Sequence, residues 1–125
     1  MANYLLDSDA LIWLLRGRRD TLQWLERLGG PFGVSAISQA EIWAGARDSE
    51  HRQIDELFLS LTAYPVDQVV AALAGRLLRQ HRQRGRSLEL ADALIAGTAI
   101  MHQLTLVTYN VSHFVMQELK LAEEG

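Results

Sequence analysis

The sequence predicts an α/β domain with a small parallel sheet at its centre. Three observations lead there. Short apolar runs alternate with stretches of helical periodicity, the runs give way to polar residues, and glycines close several of the helical stretches. Strands separated by helices return in the same direction, which makes the sheet parallel. At 125 residues, 49% of them hydrophobic, the chain suits one domain, 1–125, with a core of its own. No repeat, low-complexity tract or linker divides it.

Asn3 to Leu6 is a short apolar run that stops at Asp7, the pattern of a buried strand. Asp9 to Leu15 carries apolar residues at helical spacing, with Ser8 or Asp9 as N-cap and Gly17 as its end. Thr21 to Leu28 reads as an amphipathic helix closed by Gly29 and Gly30. Phe32 to Ser35 is the second strand and Ser38 to Ala46 the next helix. Ser49 to Leu61 places Ile54, Leu57, Phe58 and Leu61 on one helical face. Thr62 to Val66 is extended. Asp67 caps a long helix to about Arg84, with Val70, Leu73, Ala74, Leu77 and Leu78 inward and Gly85 as its stop. Ser87 to Gln103 forms a helix, Thr105 to Thr108 a strand and Val111 to Leu119 a short closing helix. The two prolines, Pro31 and Pro65, are each expected to precede a β-like segment.

Parallel sheets bind ligands beyond the carboxyl ends of their strands. Asp7 follows the first strand, Ser35 and Ser38 the second, and Asn110 the last, so one sheet edge should collect them all.

Composition narrows the chemistry. The absence of cysteine excludes thiolate-bound zinc, iron–sulfur clusters and thiol catalysis. The apolar run from Tyr4 to Leu15 is broken by Asp7 and Asp9 and has no basic segment before it, so it does not read as a signal peptide. No run reaches the ~18 apolar residues of a membrane helix. A soluble, cytoplasmic protein is expected. The net charge of −3 argues against an extended basic nucleic-acid surface. Arg76, Arg79, Arg82, Arg84 and Arg86 nevertheless cluster with His81 among them. Beside an acidic pocket, such a patch suits a metal enzyme acting on a polyanion; a solvated helix face is the plainer alternative.

Three carboxylates stand out. Asp7 directly follows an apolar strand, where a carboxylate is costly to bury unless paired or ligating metal. An N-cap is its alternative role, although Ser8 and Asp9 can already cap that helix. Glu41 fits a capping box with Ser38, in which the carboxylate reaches back to the Ser38 amide. Its place at the carboxyl edge of a strand, with Asp7 on the same edge, favours a shared site. Asp92 lies near the start of an otherwise apolar helix, and a helix apolar all round is buried. Pairing with an arginine is its alternative, and the nearby Ala93, Ala96, Gly97 and Ala99 imply close packing against the sheet. Three converging carboxylates are tolerable around a divalent cation, and oxygen-only donors suggest Mg²⁺ or Mn²⁺. Such a site suits phosphodiester hydrolysis. Asp9 is either a further direct or water-mediated ligand or a cap.

Together these segments resemble the PIN-domain family, most closely the VapC-type toxins of prokaryotic toxin–antitoxin pairs. The resemblance runs from Tyr4 to Trp13, then from Val34 to Ile42 with Gly45, then from Asp92 to Ala99, and last from Leu104 to Phe114. It implies a PIN-like three-layer α/β/α sandwich, a Mg²⁺- or Mn²⁺-dependent ribonuclease, a homodimer and a cognate antitoxin. Asp7, Glu41 and Asp92 match the family's acidic positions, and Ser38 matches a hydroxyl position near the site. In the last motif the chain has Asn110 and His113 where relatives carry Asp or Glu. Asn110 can ligate through its carbonyl oxygen or hold a water, His113 can contact phosphate, and Arg86 is a further candidate for substrate. The departure implies one metal, or a second recruited only with substrate. The dimer face is expected on apolar residues of the helices between Ser49 and Arg84.

Two other readings stay open. Asp7-Ser8-Asp9 after a strand is also the opening of haloacid-dehalogenase-type phosphatases, though Ala10 and Leu11 and the sole lysine, Lys120, fit that family poorly. A silent binding module, its acidic pocket receiving a partner's arginine, is the other. Trp13, Trp24, Trp43 and Phe58 are expected to pack, Trp43 alternatively to border the groove. His51, His81 and His102 show no ligand spacing and are expected at the surface.

Overall fold

The computed structural model describes residues 2–124. In chain order the elements are β1 (Tyr4–Leu6), α1 (Ser8–Leu15), α2 (Arg19–Leu28), β2 (Phe32–Ser35), α3 (Ala36–Ala44), α4 (His51–Leu59), β3 (Thr62–Tyr64), α5 (Gln68–Gln83), α6 (Leu90–Met101) and β4 (Thr105–Val107). The strands form one parallel sheet in the order β3-β2-β1-β4. Beyond β4, Leu121 bridges Leu106 in parallel, and the Ala122 N–H donates to the Leu106 carbonyl at 2.8 Å. The tail thereby covers an edge that would otherwise stand open.

Alternation along each strand sorts the core into two layers. Leu5 and Leu106 face one side with Leu77, Ile95, Ala96, Ala99, Phe114 and Met116. Leu6, Val34 and Val107 face the other with Ala10, Leu11, Trp24, Leu25, Ile42 and Ile54. The expected three-layer sandwich follows. Helix α6 is buried along much of its length. A Cβ on Gly97 would meet the Val70 carbonyl oxygen at 3.3 Å, a tight contact that any larger residue would relieve by pushing α6 and α5 slightly apart. Ala96 and Ala99 do face the sheet, as expected, but Gly97 faces α5.

Several boundaries differ from expectation. Helix α1 is capped by Asp7 rather than Ser8 or Asp9, and α3 by Ser35, whose hydroxyl accepts the Ile37 N–H at 3.2 Å. The capping box of Ser38 with Glu41 is therefore not formed, because Ser38 already lies inside α3. Helix α6 starts at Leu90, not Ser87, after a loop that follows α5. The closing helix is only a 3₁₀ turn, Val111–His113; Phe114, Met116 and the Leu121 bridge anchor the remaining segment individually. Pro65 follows β3 rather than preceding a strand. His81 is 6% exposed and so belongs to the interior, not the surface.

Candidate functional site

The chain passes from β1 to β2 and β3 on one side, then returns to place β4 on the other side of β1. That reversal opens a crevice at the carboxyl ends of β1 and β4. Asp7 leaves β1 there, and Thr108 to Asn110 leave β4. The Asp7 N–H donates to the Val107 carbonyl at 2.9 Å, which carries the strand pairing to the rim of the crevice.

Asp7 is 4% exposed and fully engaged. One carboxylate oxygen accepts the Ser8 N–H at 2.8 Å, and the other accepts the Thr108 hydroxyl at 2.7 Å. The Thr108 oxygen in turn accepts the Asn110 N–H at 3.0 Å. Asp9 accepts the Ala10 N–H at 2.6 Å and the Tyr109 N–H at 2.9 Å, tying α1 to the segment after β4. Glu41 is exposed, and its Oε1 accepts the Ser8 hydroxyl at 2.6 Å from across the α1–α3 interface. Asp92, in the first turn of α6, meets His113 Nδ1 at 3.3 Å. Ser38 is buried within α3, and its hydroxyl has no hydrogen-bond partner among the described residues. Arg86 lies in the loop between α5 and α6 and is exposed.

Burial is the main force on these acids. It pushes the Asp7 carboxyl up to about 7, helped by the charges of Asp9 and Asp92 and opposed by the bonds from Thr108 and Ser8. Burial also raises Asp92; His113 offsets part of that rise, while Glu41 and Glu89 add to it. Asp7 thus feels the charges of Asp9 and Asp92, and Asp92 feels that of Glu41. Such a cluster of hard oxygen donors fits a divalent cation such as Mg²⁺ or Mn²⁺ in its chemistry. The spacing does not yet close around one: among the described residues, no group of three His, Asp or Glu side chains stands close enough to hold an ion. The carboxylates share a field without forming a coordination shell in this conformation.

Three participants escaped the sequence reading: Thr108, which holds Asp7 and Asn110; Ser8, which holds Glu41; and the Tyr109 amide, which holds Asp9. The one local signal was a hydroxyl residue at the carboxyl end of an apolar strand.

The profile of the PIN domain matches residues 4–115. Ribonuclease VapC10 of Mycobacterium tuberculosis is 40% identical over 116 residues, spanning 91% of this chain and 87% of the relative. Ribonuclease VapC1 of Methanocaldococcus jannaschii is 32% identical over 111 residues, spanning 88% and 77% of the two chains. Among solved structures, VapBC2 of Rickettsia felis, bound to a fragment of promoter DNA, aligns with a TM-score of 0.83 at 26% identity over 95% of this chain and 96% of that one. DNA-bound VapBC of Salmonella typhimurium aligns with a TM-score of 0.89 over 100% of both chains and, at 18% identity, speaks for the fold alone. These matches set aside the phosphatase alternative. With a profile running from the first strand to beyond the last, and relatives matched over most of their length, the chain belongs to the PIN-domain family.

Proposed function

We propose that the protein is a divalent-metal-dependent endoribonuclease and the toxin of a VapC-type toxin–antitoxin pair. The observation that carries this reading is buried Asp7 at the β1/β4 crevice, sharing a field with Asp9 and Asp92, in a chain 40% identical to a ribonuclease. Asp7, Glu41 and Asp92 would hold Mg²⁺ or Mn²⁺, with Asn110 at the rim. The cation, when bound, would supply positive charge to a non-bridging phosphate oxygen and to the leaving oxygen.

The chain's own residues supply the rest. Asp7, raised to about 7, sheds its proton near neutrality, so the site becomes fully anionic only above that range. Thr108 and the Tyr109 amide hold Asp7 and Asp9 in place. Glu41, exposed and held by Ser8, would steer a water onto phosphorus; as the new oxygen–phosphorus bond forms, the bond to the leaving oxygen breaks and the water's proton passes on to that oxygen. The Arg18 guanidinium, paired with Asp20 at 2.7 Å, lies 4.8 Å from the Trp13 ring centre and 5.6 Å from that of Tyr109, an aromatic border on which bases of single-stranded RNA could stack.

A VapB-like antitoxin is the expected partner. The cleft lined by Ile12, Leu15, Ile42 and Ile54 also reaches Glu41, so an apolar segment lying there would carry a basic side chain to the site. A homodimer through α4 and α5 is expected, where Leu59 and Val69 are exposed. A cytoplasmic setting in a prokaryote is part of this reading; separately, no described helix is long and apolar enough to cross a membrane. A binding module without turnover is the second reading, favoured by the open spacing of the carboxylates.

Purified, antitoxin-free protein incubated with several RNA pools and Mg²⁺ or Mn²⁺ separates the two. Cleavage that disappears with EDTA and in Asp7→Asn supports the nuclease. Intact RNA in every pool, from folded protein that binds no Mn²⁺, supports the module.

A further inference from the structure

We propose that the cavity between the α5–α6 loop and the turn after β4 is a phosphate subsite for the RNA strand. The proposal rests on the ribonuclease reading and deepens it. The cavity, about 340 Å³, is lined by His81, Arg86, Ser87, Ser112, His113 and Val115. That lining offers a guanidinium, two hydroxyls and two imidazoles, and contains no carboxylate. It is the electrostatic reverse of the acidic site beside it. His113 links the two: its Nδ1 stands 3.3 Å from Asp92, and its ring borders the cavity. A strand with one phosphate at the carboxylate cluster would lay a neighbouring phosphate here.

The loop is folded to present these groups. Helix α5 ends in a paired cap, with the Arg86 N–H donating to the His81 carbonyl at 2.8 Å and the Gly85 N–H to the Arg82 carbonyl at 3.1 Å. Gly85 takes the left-handed conformation this cap requires, at φ +69°. Arg86 is thereby fixed just past the helix, with a planar fork of donors matched to phosphate oxygens.

A second observation points to the same place. His81 is buried in the cavity wall, and its Nδ1 meets the Leu77 carbonyl at 3.0 Å. Its Nε2 has no partner among the described residues. Buried nitrogens are rarely left this way, because desolvation without a hydrogen bond is costly. With Nδ1–H donated to the Leu77 carbonyl, Nε2 is the ring's acceptor and is shielded in this structure, so it takes a donor such as a ribose hydroxyl only as the cavity wall shifts around a seated ribose-phosphate unit.

The test measures steady-state cleavage of a short single-stranded RNA by the parent protein, Arg86→Ala and Arg86→Lys. Each meets a normal substrate and substrates in which one linkage near the cleaved bond is a neutral methylphosphonate. Arg86 is exposed, so its removal leaves the core intact. Arg86→Ala should raise KM about tenfold, well beyond any fall in kcat, and Lys should restore part of the loss. At one linkage the methylphosphonate should raise KM for the parent but not for Arg86→Ala. With Asp7→Asn holding RNA uncleaved, the His81 ring signals should shift in NMR spectra as RNA is added. An unchanged KM in Arg86→Ala, or the same methylphosphonate penalty in both proteins, overturns the subsite and leaves the ribonuclease reading standing. Absence of cleavage by metal-loaded parent protein defeats that reading, and the subsite with it.

Discussion

Replacing Asp7 with Asn should stabilise the metal-free protein at pH 8 while removing its cation site. Burial holds the Asp7 carboxyl at about 7 against an ordinary 3.8, so the folded chain keeps this proton more tightly than the unfolded chain does. The resulting stability is fully present below about pH 4 and is lost as the pH rises through about 7. The span from 3.8 to about 7 corresponds to roughly 4 kcal/mol at its limit. Asn retains the acceptor for the Ser8 N–H but presents an amino group where the carboxylate accepted the Thr108 hydroxyl. That exchange costs about 1–2 kcal/mol. The variant should therefore gain about 2–3 kcal/mol over the parent at pH 8 and nothing at pH 4.5. Urea unfolding in EDTA at both pH values measures this directly. Parallel pH profiles for parent and variant would refute the claim that the folded chain resists ionising Asp7.

Three further outcomes follow from the same geometry. Thr108→Val removes the hydroxyl that holds Asp7 and accepts the Asn110 amide, so urea unfolding should show a loss of about 1–3 kcal/mol. Its Mn²⁺ affinity, by calorimetry, should fall about 10–100-fold, as for other groups that orient ligands. Gly97→Leu forces a side chain against the Val70 carbonyl and should cost about 1–3 kcal/mol in the same unfolding assay, with the α5–α6 packing loosened. Cation binding must displace the Asp7 proton, so calorimetry in buffers of different ionisation enthalpy should detect proton release below pH 7 and little at pH 8.5.

The strands were readable, and the candidate carboxylates could be singled out, because each rests on a local pattern. Tyr4-Leu-Leu ends in Asp7, Thr-Leu-Val ends in Thr108, and α6 is apolar apart from Asp92 and Thr98. What the sequence could not announce was adjacency. The bond from Thr108 to Asp7 joins residues 101 apart and exists only because β4 returns beside β1. The capping assignments failed for a related reason. Ser8, Asp9 and Ser38 all have cap chemistry, and the backbone chose Asp7 and Ser35, the polar residues where β1 gives way to α1 and β2 to α3. That choice released Ser8 to hold Glu41. Periodicity also misread residues 114–119, whose apolar side chains anchor an irregular segment rather than a helical face. His81 looked like one polar residue in an arginine-rich stretch, yet its phase on α5 matches that of Val70, Ala74 and Leu77, which turns it inward.

We propose that Asp7, Glu41 and Asp92 serve one divalent cation at the β1/β4 crevice. Anomalous diffraction from crystals soaked in Mn²⁺ tests it most directly. One strong peak bounded by those three carboxylates is expected, absent in Asp7→Asn crystals. No peak there under saturating Mn²⁺, or an equal peak in the variant, would contradict it.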